Sequence, residues 1–291
     1  MISFLISLVA LVLGYIIYGR IIEKVFGPDA SRVTPAVAKQ DGVDYIPLPS
    51  WKVYMIQFLN IAGTGPIFGA IMGAKFGPAS YLWIVFGCIF AGAVHDYFTG
   101  MLSIRHDGAA FPDIVGHYLG KGTRMAMLFF SIILLLLVGT VFVYSPALIL
   151  GDMAGFMGTQ NASVMAWVFL VFAYYIVATL LPVDKLIGRI YPLFAFCLLF
   201  MAVALMIGLI VRWPSIPEVW QGVGNLGAAK GLSGMAGQPV FPCIFITIAC
   251  GALSGFHATQ SPLMARCIKN EKLGRRCFYG AMVTEGVVAL V

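Results

Sequence analysis

The chain has 291 residues, 60% of them hydrophobic and only 10% charged, with a formal net charge of +6. A water-soluble domain of this length needs far more charge to cover its surface. The apolar residues fall in blocks near the ~20 residues that a spanning helix requires, and blocks that long read as helices, because in hydrocarbon each backbone N–H and C=O must pair within its own segment.

Eight apolar segments follow in chain order: 2–18, 55–73, 80–104, 125–150, 163–181, 190–211, 240–257 and 278–291. The fold class is therefore an all-α polytopic membrane protein with about eight spans. The first span has no positive charge ahead of it and no small-residue cleavage site, so it reads as retained, not as a signal peptide. The last is too short to cross a bilayer and is expected to be incomplete, so the chain is expected to be the N-terminal portion of a longer one.

Lysine and arginine sort the loops. Arg20 to Lys52, Arg105 to Arg124, Lys185 with Arg189, and Arg266 to Arg276 account for fifteen of the eighteen; only Lys75, Arg212 and Lys230 fall in the alternate loops. Positive loops stay cytoplasmic, which places the N-terminus outside the inner membrane. The same charges predict contact with anionic lipid headgroups and no nucleic acid. Six cysteines without metal-ligand spacing predict free thiols, no metal and no cofactor.

Two segments do not read as plain spans. The second carries Gly63-Thr64-Gly65-Pro66 at its centre, where glycine and proline destroy helix propensity, and Gln57, Asn60 and Thr64 share the face leading to that break. The seventh carries Thr247, Cys250, Ser254 and His257 on one stripe; Gly255 interrupts it, and Thr259 and Gln260 follow. Small residues also serve tight helix packing. Two interruptions five spans apart, in helices of opposite direction, are nevertheless what an inverted five-helix repeat produces. Half-helix N-termini there offer amides to an anion, and unwound carbonyls offer oxygen to a cation. The substrate- or ion-binding candidates are thus Asn60, Gly63, Thr64, Gly65, Pro66, Ser254, Gly255, His257, Thr259 and Gln260.

The third segment adds His95 and Asp96. Ionisable groups inside a membrane are costly and mark function by default, so both are proton-relay candidates; the bland alternative is a structural bond that pairs Asp96 with Arg105 or with a neighbouring helix. Ser254 and His257, at i and i+3, could also be drawn as a nucleophile and base of an intramembrane hydrolase. No orienting third group or oxyanion pattern accompanies them, so no catalytic residue is assigned. A sensor component of a starvation response is a further alternative.

The stretch NIAGTGPIFGAIMGAKFGPASYLWIVFGCIFAGAVHDYFTGMLSIRHDGA, residues 60–109, closely resembles the carbon starvation protein CstA family. So do GALSGFHATQSPLMARCIKNE, residues 251–271, and the Arg20-x-x-x-x-Val25-Phe26-Gly27 stretch after the first span. The resemblance covers the whole chain, which is expected to form a single transporter domain, 1–291, with span 2–18 outside the repeat core. It implies an inner-membrane carrier of peptides or of small carboxylates such as pyruvate, coupled to a proton or another cation, linked to carbon starvation, and built on a LeuT-like inverted-repeat fold. It also implies further spans beyond those present here.

Overall fold

A computed structural model describes residues 1–156, 164–180, 183–252 and 257–291. Among these, every regular element is helical. The helices are α1 (Ile2–Phe26), α2 (Ser50–Ile61), α3 (Thr64–Ala74), α4 (Ala79–Arg105), α5 (Phe111–Leu119), α6 (Lys121–Phe156), α7 (Val164–Leu180), α8 (Val183–Arg212), α9 (Val240–Ala252), α10 (His257–Ala265) and α11 (Gly280–Leu290).

Four helices among the described residues are long and apolar enough to cross a membrane: Ile2–Phe26, Ala79–Arg105, Lys121–Gly155 and Pro192–Arg212. That is fewer than the eight segments of the hydropathy pattern, and for the second segment the difference has a structural cause. It is two half-helices, α2 and α3, separated where Ala62 (φ −81°, ψ 46°) and Gly63 (φ −78°, ψ −154°) leave helical geometry. Of the seventh segment, α9 and α10 are described, and the expected interruption at Ser254 and Gly255 lies outside the described residues. No half-helix of 9 to 13 residues can span alone.

The interrupted segments pack on each other. Gln57 of α2 reaches Ser261 of α10, and at the far end Gly73 of α3 lies against Ile248 of α9. A Cβ on Gly73 would sit 2.6 Å from Ile248 Cγ1. Residue numbers rise along one segment as they fall along the other, so the two run antiparallel. The absent side chain at Gly73 is what permits this approach.

The centre of the bundle is α11 with the π-helical turn Arg275–Tyr279 ahead of it. Phe278, Tyr279, Ala281, Met282 and Glu285 are fully buried. A second π-helical turn, Gly87–Gly92, interrupts α4. Such a turn frees a carbonyl from the helical ladder, and here Tyr279 donates its hydroxyl to Ile89 O at 3.0 Å. The Phe278 ring lies flat on Gly100, where a Cβ would come within 2.5 Å of it.

The loops sort by charge into two ends. At the basic end, Lys39 pairs with Asp107 (3.1 Å), Arg275 with Glu23 (2.7 Å), and Arg266 donates to Gly108 O (2.9 Å). Glu271, fully buried, meets Arg105 at 3.2 Å and Arg32 at 3.8 Å and accepts from the Asp29 amide at 2.9 Å. Arg105 also stacks on Phe26, 4.0 Å from the ring centre. Three loops that the lysine and arginine pattern put on one side thus meet there. At the opposite end, the Met1 ammonium and the amides of Ile2 and Ser3 converge on the Glu218 carboxylate, and Leu226 N donates to Phe76 O.

The hydrogen bond from the Met1 ammonium, with those from Ser3, holds Glu218 down to about 2 from its usual 4.5. A carboxylate whose value is depressed by folding contributes stability that is present above 4.5 and lost as pH falls toward 2. Acid titration of the purified protein should therefore release α1 in that window, and Glu218→Gln should abolish the transition, read by proteolysis near the N-terminus. Separately, Gly100→Val should overpack the Phe278 contact and cost about 1–3 kcal/mol, measured as a lowered thermal unfolding midpoint in detergent.

Candidate functional site

A polar network lies buried where α2, α4, α10 and α11 cross. Gln57, Asp96, Ser261 and Glu285 are 0% exposed and His257 is 1% exposed. Their positions follow from helix periodicity. Asp96 lies on the face of α4 that meets α10, while its neighbour His95 is turned about 100° away and rests edge-on against Phe111 at 5.8 Å. The two relay candidates are therefore not a pair. Arg105 is also not the partner of Asp96, since its guanidinium is committed to Glu271.

Asp96 is instead held by neutral donors. Gln57 Nε2 lies 3.1 Å from each Asp96 carboxylate oxygen and 3.1 Å from Ser261 Oγ. The Ser261 hydroxyl in turn donates to Asp96 Oδ1. The carboxylate thus bridges one half of each interrupted segment to α4. The next group along is His257, whose Nε2 is 3.2 Å from Glu285 Oε2. Gln260 is nearly as buried as its neighbours.

Beside this network, the break between α2 and α3 opens on a cavity of about 1190 Å³. Asn60 and Gly63 form one wall, with Thr140 and Tyr144 of α6 and Phe172 of α7 opposite. A Cβ on Gly63 would come within 2.7 Å of Phe142 Cζ, so glycine lets α6 close against the break. Among the described residues no lysine, arginine, aspartate or glutamate lines the cavity. The backbone of Thr64, Gly65 and Pro66 begins α3; their side chains, and Ser254 and Gly255 altogether, lie outside the described residues. Thr259 sits on α10, half-buried.

Three members of the network were not among the sequence candidates. Gln57 had been placed on the face leading to the break, and Ser261 in the run after it, without a role. Glu285 had no signal beyond being an acid in an apolar segment, and that segment looked too short to matter. Among the described residues no group of histidines, cysteines and acids is arranged to hold a metal ion.

The chain matches the family described as "Carbon starvation protein CstA" over residues 1–157 and 153–291. It is 50% identical to an uncharacterized membrane protein of Haemophilus influenzae, over all of this chain and 89% of that relative. That alignment runs over 330 residues, longer than this chain, so the relative carries residues between the matched ends that have no counterpart here. The chain is also 29% identical to the peptide transporter CstA of Campylobacter jejuni, over 96% of this chain and 47% of that one. To the pyruvate/proton symporter BtsT of Escherichia coli it is 29% identical, over 93% of this chain and 45% of that one. It thus spans about half the length of these two transporters. No solved structure matches it.

Removing the Asp96 carboxylate strands the Gln57 amide and the Ser261 hydroxyl, and each buried donor left unpaired costs about 1–3 kcal/mol. Asp96→Leu should therefore lower the thermal unfolding midpoint well below that of Asp96→Asn, which keeps an acceptor oxygen. Equal losses in the two variants would show that the hydrogen bonds contribute little.

Proposed function

This chain is a member of the carbon starvation protein CstA family, and from that premise we propose that it is a secondary transporter of the inner membrane that takes up small carboxylates such as pyruvate, or peptides, with protons. The observation that carries the reading is the buried Asp96 network. Ionisable groups at this depth are costly and persist in proteins that move ions or substrates. Here the carboxylate ties together both interrupted segments, so a change in its charge acts on each.

Substrate binds, in this reading, at the break facing the cavity. Among the described residues the cavity has no basic side chain, and a substrate carboxylate is met by the free amides at the start of α3, where the helix dipole favours an anion. Asn60 supplies a side-chain amide beside them. A pyruvate-sized anion needs nothing more. A peptide also brings an ammonium group, for which the unwound carbonyls near Ala62 are the available partners. The apolar walls suit a substrate with a methyl or larger apolar group.

The architecture we infer is LeuT-like, with α2–α3 and α9–α10 as the paired discontinuous helices, each counted as one span to give about eight. Their antiparallel packing supports this. The N-terminus is outside and the basic end cytoplasmic, against anionic headgroups. Residues 1–291 form one domain, with α1 beside the repeat core. The link to carbon starvation belongs to the same proposal.

An intramembrane hydrolase draws no support. The relatives whose names state an activity are transporters, and His257 Nε2 lies 3.2 Å from Glu285.

Counterflow of labelled pyruvate and of labelled dipeptides into proteoliposomes tests the function. Uptake of one of them, weakened by Gly63→Val at the wall of the cavity, is the expected result. Accumulation of neither substrate refutes it.

A further inference from the structure

Glu285 is an acid enclosed in the bundle with few polar neighbours among the described residues. It is fully buried, and neither carboxylate oxygen accepts a well-formed hydrogen bond. Its one close polar partner is His257 Nε2, 3.2 Å from Oε2. On the other side of the imidazole, Nδ1 has no hydrogen-bond partner among the described residues. Two groups at hydrogen-bond distance, one acid and one base, are thus enclosed together with a second ring nitrogen.

Charge counting shows what this pair must hold. Asp96, Glu285 and His257 lie within electrostatic reach of one another. Among the described residues no lysine or arginine pairs with either acid. Asp96 has the Gln57 and Ser261 donors to support a negative charge. Glu285 has none. Two bare carboxylates beside a neutral imidazole would place a doubly negative cluster in a low-dielectric interior, which is far costlier than any neighbouring dipole offsets. One proton on the pair removes that problem in either form, as acid with neutral imidazole or as carboxylate with imidazolium.

We propose that Glu285 and His257 together bind the coupling proton of this transporter, with Glu285 the acceptor and His257 the group that passes the proton on. The step is a simple transfer. The proton on Glu285 Oε2 moves to His257 Nε2, leaving carboxylate and imidazolium; the imidazolium then gives its Nδ1 proton to a water molecule, forming hydronium, and is left neutral as the other tautomer. The site suits a proton and not a metal cation. One carboxylate and one ring nitrogen fall well short of the shell of oxygens a hard cation demands. His257 lies on α10, so protonation changes the charge on the segment that packs against α2–α3.

The other titratable groups facing this pair are Asp96, His95 and Cys88, all on α4. The helix α3 carries none, and α9 carries only cysteines. From α2 comes Tyr54, hydrogen-bonded to Thr284 at 2.6 Å, with Lys52 in its first turn; α1 turns Tyr15 and the Glu23–Arg275 pair toward the basic end.

The inference rests on the transporter reading for its role but not for its existence, and two measurements separate these. The first needs no substrate: pH-difference infrared spectroscopy of the protein in lipid. A carboxyl signal absent from Glu285→Gln but retained in Asp96→Asn is expected, and a Glu285→Gln spectrum identical to the parent overturns the site. If Glu285→Gln does not fold, His257→Gln serves, since it should displace the midpoint of the Glu285 signal, and an unmoved midpoint overturns the pairing. The second measurement is accumulation driven by a pH gradient. One proton per substrate supports about tenfold accumulation per pH unit. Glu285→Gln should bring that ratio to about onefold while labelled substrate still exchanges across the membrane. Tenfold accumulation by Glu285→Gln refutes the coupling role. Failure of the parent protein to accumulate any substrate refutes the transporter reading and leaves the infrared result to decide the site.

Discussion

Hydrocarbon offers a peptide group nothing to bond to. A helix broken in the middle therefore survives only where protein, not lipid, surrounds the break. Most of this structure can be traced to that constraint. The break at Ala62–Gly63 is covered by α6 on one side and approached by α10 on the other, and the interrupted segments lie antiparallel so that each shelters the other. Glycine appears at the points of closest approach, Gly63 against Phe142 and Gly73 against Ile248, because a side chain at either would push the segments apart. The same enclosure creates a dry interior around Gln57, Asp96, Ser261, His257 and Glu285. An ionisable residue there has only other residues for company, and which company it has decides what it can do.

Much of this was legible from residue types. The Gly-Thr-Gly-Pro run announced the break between α2 and α3; the Ser-Gly run ahead of His257 lies outside the described residues. The lysine and arginine asymmetry anticipated which loops would meet, and they do meet, around Glu271, Asp107 and Glu23. What was not legible depended on register. The π-helical turn at Gly87–Gly92 inserts a residue into α4, so a regular 3.6-residue period does not describe one continuous face along that helix. Sequence adjacency made His95 and Asp96 look like a unit, and the helix sends them to different neighbours.

Glu285 was hidden for a different reason. Hydropathy judges a segment by its length, and 278–291 looked like a stub. Burial judges it by what surrounds it. By that measure α11 is the central element, packed on all sides, with its small residues Gly280 and Gly286 admitting Tyr15 and Cys88. A short segment of low apparent value thus carries a fully buried acid whose close polar partner is a single imidazole.

Two buried glutamates make the contrast plain. Glu271 and Glu285 are both fully enclosed. Glu271 has two guanidinium groups and a backbone amide around it, and it joins three loops at the basic end. Removing any one partner leaves the others, so its charge is balanced by construction and its role is to hold the end of the bundle together. Glu285 has a single imidazole, itself able to take or lose a proton. Its charge can be balanced only by where that proton sits. The first arrangement is stable because nothing need move. The second is complete only when a proton is present, and a group of that kind gives a transporter something to couple to.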